Sequence, residues 1–264
     1  MESFEAFVLI ASAIVAAQQW FSWYRDIFTI NLLCAPARQR VILSITPLFC
    51  MAILFVALRK LGDDTVRHNS FYLFFYLLLG AAWLAGMAAI FPLLGVSARD
   101  DALERANNSA SWAASGMLLG STFCFAGANI GNGPGVEAVL FSGLLATGLF
   151  LLLWFLVEWF ASFSEEITVE RNLGAGIRLA GFLTAIGLIC GWAVAGDWVA
   201  ATATLKDFAR SCWPAIFLSV IATVFEASRK NKKMQPSDGA AGSLALAFVY
   251  VASASAWVIA QGVR

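Results

Sequence analysis

Histidine is nearly missing from this chain: His68 stands alone, in a charged stretch. That argues against zinc-protease motifs and His-based catalytic triads, and His68 itself reads as a solvated loop residue. Charge is scarce as well, with Asp, Glu, Lys and Arg making up 13% of the 264 residues and 17 basic side chains balancing 17 acidic ones. A formal balance of zero removes any global attraction to nucleic acid, so no nucleic-acid partner is expected. The five cysteines, Cys34, Cys50, Cys124, Cys190 and Cys212, form no CxxC pair and lie mostly inside apolar runs, where they read as small hydrophobes. No GxSxG elbow occurs, and the glycine turn at 131–135 lacks the Lys-Ser/Thr ending of a phosphate loop. The pairs Asp63-Asp64, Asp100-Asp101 and Glu165-Glu166 read as solvated loop charge. No catalytic residue, metal ligand or cofactor is therefore assigned, and the chain is expected not to be an enzyme.

Apolar sequence is what the chain has in excess. Hydrophobic residues reach 60%, with 22 Phe and 10 Trp, and the mean hydropathy is +0.77. Too little polar surface remains for a soluble globule, so the expected solvent is a lipid bilayer. Apolar windows close to the roughly 20 residues that span a hydrocarbon core fall near 5–24, 41–58, 71–95, 109–129, 137–160, 173–195, 208–226 and 239–261. The expected fold is all-α, a polytopic transmembrane bundle of about eight helices built from repeated helical hairpins. The count of spanning helices becomes seven if the first window lies in the interface, and its Trp20, Trp23 and Tyr24 read as an interfacial belt. Pro47 predicts a kink in the second, whose freed backbone neighbouring helices must satisfy.

The repeat organises the rest. Glu104, Arg105 and Asn107-Asn108 lead into a small-residue helix through Gly116 and Gly120; 65 positions on, Glu170, Arg171 and Asn172 lead into another through Gly187 and Gly191. The same step lands on Ser237 and Asp238 ahead of the last window. Asn107 or Asn108, and Asn172, are expected to cap helices where they enter the membrane. Small residues four apart, Gly116 with Gly120 and Gly187 with Gly191, predict close helix packing, leaving the bulkier third, fifth and seventh helices toward lipid. Three segments follow: 1–68, an N-terminal helix pair; 69–196, a four-helix core; and 197–264, a C-terminal half repeat.

The run from Asn107 through Gly120, followed by Ser164-Glu165-Glu166-Ile167 and then Asn172-Leu173-Gly174-Ala175-Gly176, resembles the bacterial inner-membrane family catalogued as domain of unknown function 350, over about 71–196. The resemblance implies a multi-pass protein of a bacterial cytoplasmic membrane, sometimes associated with envelope stress, and no established reaction. Between windows, ten Lys and Arg fall on the side of Arg25 and Arg171 and six on the side of Arg59 and Lys206. That bias places both termini outside.

Few ionisable groups sit at membrane depth. Arg178 and Glu158 stand at similar depth in neighbouring helices and are expected to form a buried pair or to line a path. Glu226 is expected at the interface. Glu137, just beyond the glycine turn, is expected to stabilise a helix start or to join Asn129 and Asn132 in an outer cation site. Two functions stay open: a structural, stress-response or assembly subunit, homo-oligomeric or bound to another membrane protein; or a channel or transporter whose path passes Arg178, Glu158 and the turn at 129–135.

Overall fold

The structure, a computed structural model, describes residues 3–30, 37–133, 135–231 and 240–262. Cys34, Pro134, Lys232, Lys233, Ser237, Asp238, Gly239 and Arg264 lie outside them. The described residues are helical and contain no strand: α1 (Ser3–Thr29), α2 (Ala37–Leu61), α3 (Asp64–His68), α4 (Ser70–Ile90), α5 (Asn108–Ala128), α6 (Val136–Ala161), α7 (Phe163–Thr168), α8 (Leu173–Val194), α9 (Ala201–Ser211), α10 (Trp213–Asn231) and α11 (Ala240–Gln261). A 3₁₀ turn, Phe91–Leu94, extends α4 around Pro92, and a π-helical segment, Ala98–Glu104, precedes α5.

Among the described residues, six helices are long and apolar enough to cross a membrane: α1, α2, α4 with its 3₁₀ extension, α6, α8 and α11. α9 and α10, bent by 40° at their break, would make a seventh. The break replaces the straight helix expected at 208–226. Pro214, in the first turn of α10, has no N–H to continue the ladder of α9. α5 has the length of a span but is rich in Ser, Thr and Gly, and its polarity is tolerated because protein surrounds it: 16 of its residues are buried.

Four helices form the middle of the molecule, side by side and all running the same way. α2 meets α5 through Gln39 Nε2 donating to the Ala106 carbonyl, a 2.9 Å contact between the Thr46 and Ser115 hydroxyls, and Gly131 N–H donating to Leu61. α5 meets α8 from Ser109 Oγ, which donates to the Asn172 carbonyl at 2.6 Å, up to Gly196 N–H, which donates to Ile130 at 3.0 Å. α8 meets α11 from Arg178 beside Ser243 to Trp192 Nε1, which donates to the Gly262 carbonyl. In each pair the partner number rises by 63 to 70 along the whole contact. α2, inside the segment 1–68, thus sits against α5 as α5 sits against α8.

Small residues make this possible. A Cβ on Gly116 would overlap the Ala180 backbone, one on Gly187 the Gly120 backbone, and one on Gly127 the Gly191 backbone. Backbones in lipid gain no hydrophobic force for association, so close approach and dispersion have to hold them. The local entries into α5 and α8 match bond for bond: Asn107 N–H to Asp101 and Asn172 N–H to Glu166, Arg105 N–H to Asp100 and Glu170 N–H to Glu165, with Ala106 and Arg171 at φ of 53° and 54°.

The bulkier helices flank this row. α1 packs on α4, and α6 lies against α5 and α8. Large apolar side chains face outward on several of them, including Phe7 and Phe21 of α1, Phe74 of α4, Trp159 of α6 and Phe217 of α10. α2 passes through Pro47 as one helix. The carbonyl that Pro47 leaves without a donor is that of Leu43, and Trp23 Nε1 of α1 donates to it at 3.1 Å. Tyr24 donates to Ser44 and Trp20 to Ala81. These three side chains bind α1 to α2 and α4 through their polar atoms, a structural use that the interfacial-belt reading left out.

Candidate functional site

Arg178 is the largest polar side chain in the interior, with 0% exposure. It lies in the second turn of α8, where the flanking residues are Gly, Ala, Ile and Leu and supply no counter-charge. The partners come from three other helices. Glu226 of α10, 1% exposed, accepts from Nε at 2.7 Å and from Nη2 at 3.0 Å. Glu166 of α7 accepts from Nη2 at 3.3 Å, and Ser243 Oγ of α11 lies 3.1 Å from Nη1. Arg229, one turn beyond Glu226, brings its Nε to 3.8 Å from the same carboxylate. Two arginines and two glutamates thus close a formally neutral cluster that ties four helices together.

The geometry follows from the guanidinium. Its fork matches a carboxylate in two parallel bonds, and the third nitrogen is left for a hydroxyl. Desolvating a charge is tolerable only when its donors are satisfied, and here every nitrogen of Arg178 has an acceptor.

Glu158 takes no part in this cluster, which corrects the expected Glu158–Arg178 pair. It sits in the last turn of α6 and accepts from the Ser164 N–H and hydroxyl, holding the corner into α7. Depth alone suggested the pair, but α7 intervenes and presents Glu166 instead. Glu226, expected at the interface, is enclosed because α6 and α8 pack against α10 and Arg178 of α8 sits on its carboxylate. Glu165-Glu166, expected as solvated charge, divide: Glu165 is exposed and Glu166 buried. One signal pointed to part of this arrangement, since Ser243 follows Arg178 by 65 positions and Glu166 follows the buried Asp101 by the same step.

The helix entries are capped by Asn107, whose side chain accepts from Ser109 N–H, and by Asn172, which accepts from Gly174 and Ala175 N–H. Asn107 also donates to the Ile167 carbonyl. Asn108 is not a cap; its buried Oδ1 has no hydrogen-bond partner among the described residues.

At the opposite end of the middle row lies a cavity of about 360 Å³. Asn129 reaches it as the C-cap of α5, with Nδ2 donating to Phe125 at 2.7 Å. Asn132 lines it too, its N–H donating to Asp197 Oδ1 at 2.7 Å and its carbonyl accepting from Trp198. Glu137 does not. It is exposed on the first turn of α6 and is not part of the cavity lining, so the expected grouping of Glu137 with Asn129 and Asn132 is not formed. The carboxylates on the cavity belong to Glu5 and Asp63. Among the described residues no group of three His, Cys, Asp or Glu converges on a metal position, and Cys50, Cys124, Cys190 and Cys212 are buried free thiols.

Residues 64–194, from α3 to the end of α8, match the family model described as Domain of Unknown Function (DUF350). This segment belongs to DUF350. No curated protein and no solved structure matches the chain. The DUF350 segment contains the α5–α8 contact, both Asn caps, Glu166 and Arg178, whereas Glu226 and Ser243 lie beyond it. The charged cluster therefore joins the DUF350 segment to the C-terminal helices.

Proposed function

We propose that this DUF350 protein is a non-enzymatic structural, stress-response or assembly component of a bacterial cytoplasmic membrane, with both termini on the outer face. The observation that carries this reading is the middle row itself: its helices press backbone against backbone, and Arg178, buried among them, has a partner for each nitrogen. A closed, charge-satisfied interior suits a rigid scaffold better than a conduction path. Tandem hairpins duplicated from one ancestral unit account for the common direction and step of the row. The outward Phe and Trp side chains suit lipid and a second copy or another membrane protein.

A second reading, a channel or transporter with a path near Arg178, Glu158 and the turn at 129–135, draws support from the polar cavity beside that turn. Ion and small-solute flux in liposomes separates the two. The scaffold reading expects wild type and Arg178→Ala to be equally tight, with the variant losing thermal stability in detergent. Flux in the wild type that changes selectivity in Arg178→Ala while the variant stays folded would replace the scaffold by the channel.

A further inference from the structure

The cavity at the far end of the middle row has a composition that the scaffold reading does not use. Two carboxylates, Glu5 of α1 and Asp63 ahead of α3, line it together with the aromatic rings of Tyr72, Tyr76 and Trp198. Among the described residues, no Lys, Arg or His lines it. Tyr76 and Ser142 are each 5% exposed and line the cavity. Asp63 is held in place, accepting from Thr65 N–H at 2.7 Å and Gly133 N–H at 3.4 Å.

A chamber of this size, lined by carboxylates, side-chain amides, hydroxyls and aromatic rings, offers convergent polar groups and apolar walls to a small molecule. Negative charge selects a cation. The aromatic walls select an organic one, because a weakly hydrated ammonium gains from ring faces what a strongly hydrated metal ion does not.

We propose that this cavity is a binding site for a small organic ammonium ion, held by Glu5 and Asp63 and faced by Tyr72, Tyr76 and Trp198. The ammonium group arrives either on a free solute or on a lipid headgroup, the two sources of the same chemistry at a membrane surface.

The test uses the full chain in phosphatidylglycerol nanodiscs, with thermal unfolding followed against tetramethylammonium chloride and against sodium chloride at the same concentrations. The expected result is a saturable rise in Tm with tetramethylammonium and none with sodium. Glu5→Gln combined with Asp63→Asn keeps the shape and the Asp63 cap, and should raise the half-saturating concentration at least about tenfold. Trp198→Leu, on the rim, should raise it about fivefold and decides the matter if the double variant does not fold. Nanodiscs carrying phosphatidylethanolamine identify the source: loss of the added-ion response there means a lipid headgroup, and an unchanged response means a free solute. No saturable response in the wild type, an equal response to sodium, or a response unaltered in every folded variant overturns the proposal.

Discussion

The two ends of the middle row treat charge in opposite ways. At the end where α5, α8 and α11 begin, Arg178, Glu166, Glu226 and Ser243 are drawn into one closed cluster. At the other end Glu5 and Asp63 border an open chamber. The helices are the same; the connections differ. Short helical segments at Ala98–Glu104 and Phe163–Thr168 fold over the entry end and carry Asp101 and Glu166 inward. At the exit end glycine turns at positive φ, Gly131 and Gly196, bring backbone to backbone beside the chamber. Charge that is fully enclosed has to be paired within the protein, whereas carboxylates beside a chamber keep access to whatever fills it.

The largest expected effect tests the closed end. Glu226→Ala leaves Arg178 with a weakened partner set in the interior and should cost about 3–5 kcal/mol, the usual penalty for stranding a buried charge. Arg178→Leu with Glu226→Leu should cost less than Glu226→Ala alone, read as Tm in detergent. If the double variant is the less stable, the pair is not a matched unit and the contrast between the ends fails.

Next in size is the packing between the ends. Gly187→Ala drives a methyl into the Gly120 backbone and should cost about 1–3 kcal/mol as overpacking. Gly148→Ala of α6, where a Cβ meets nothing within 4 Å, should be neutral or gain up to about 1 kcal/mol from helix propensity. Equal effects in thermal unfolding would show that close approach is not what holds the row.

The caps give a smaller effect. Asn172→Ala removes an acceptor from two N–H groups and should cost about 1 kcal/mol, while Asn108→Ala removes a buried oxygen without a partner and should cost less. Smallest is the corner: Glu158→Gln keeps an acceptor for Ser164 and should lower stability by less than about 1 kcal/mol, because a neutral hydrogen bond replaces a charge-assisted one. A loss as large as that of Glu226→Ala would return Glu158 to the charged cluster.

Much of the fold was legible because it is written locally. Apolar windows follow from the length a bilayer demands, Asn107 and Asn172 declare helix starts through their own side-chain chemistry, and glycines four apart mark a face that can be approached closely. The 65-residue step was visible from Asn107 to Asn172, yet α2 carries no such Asn, and its place beside α5 emerged only from packing. The site was less legible. Arg178 was recognisable as costly wherever it lay, but its partners stand 12, 48 and 65 residues away, on helices whose rotation no local pattern specifies.

By itself, then, the sequence determined the solvent, the helices, their starts and the faces on which they could touch, since each depends on residues within a few turns of one another. Only the tertiary structure decided that Glu226 rather than Glu158 neutralises Arg178, and that Glu5 and Asp63 rather than Glu137 meet at the glycine turn. Those pairings depend on which helix covers which, a matter of crossing, bend and the short connections between them.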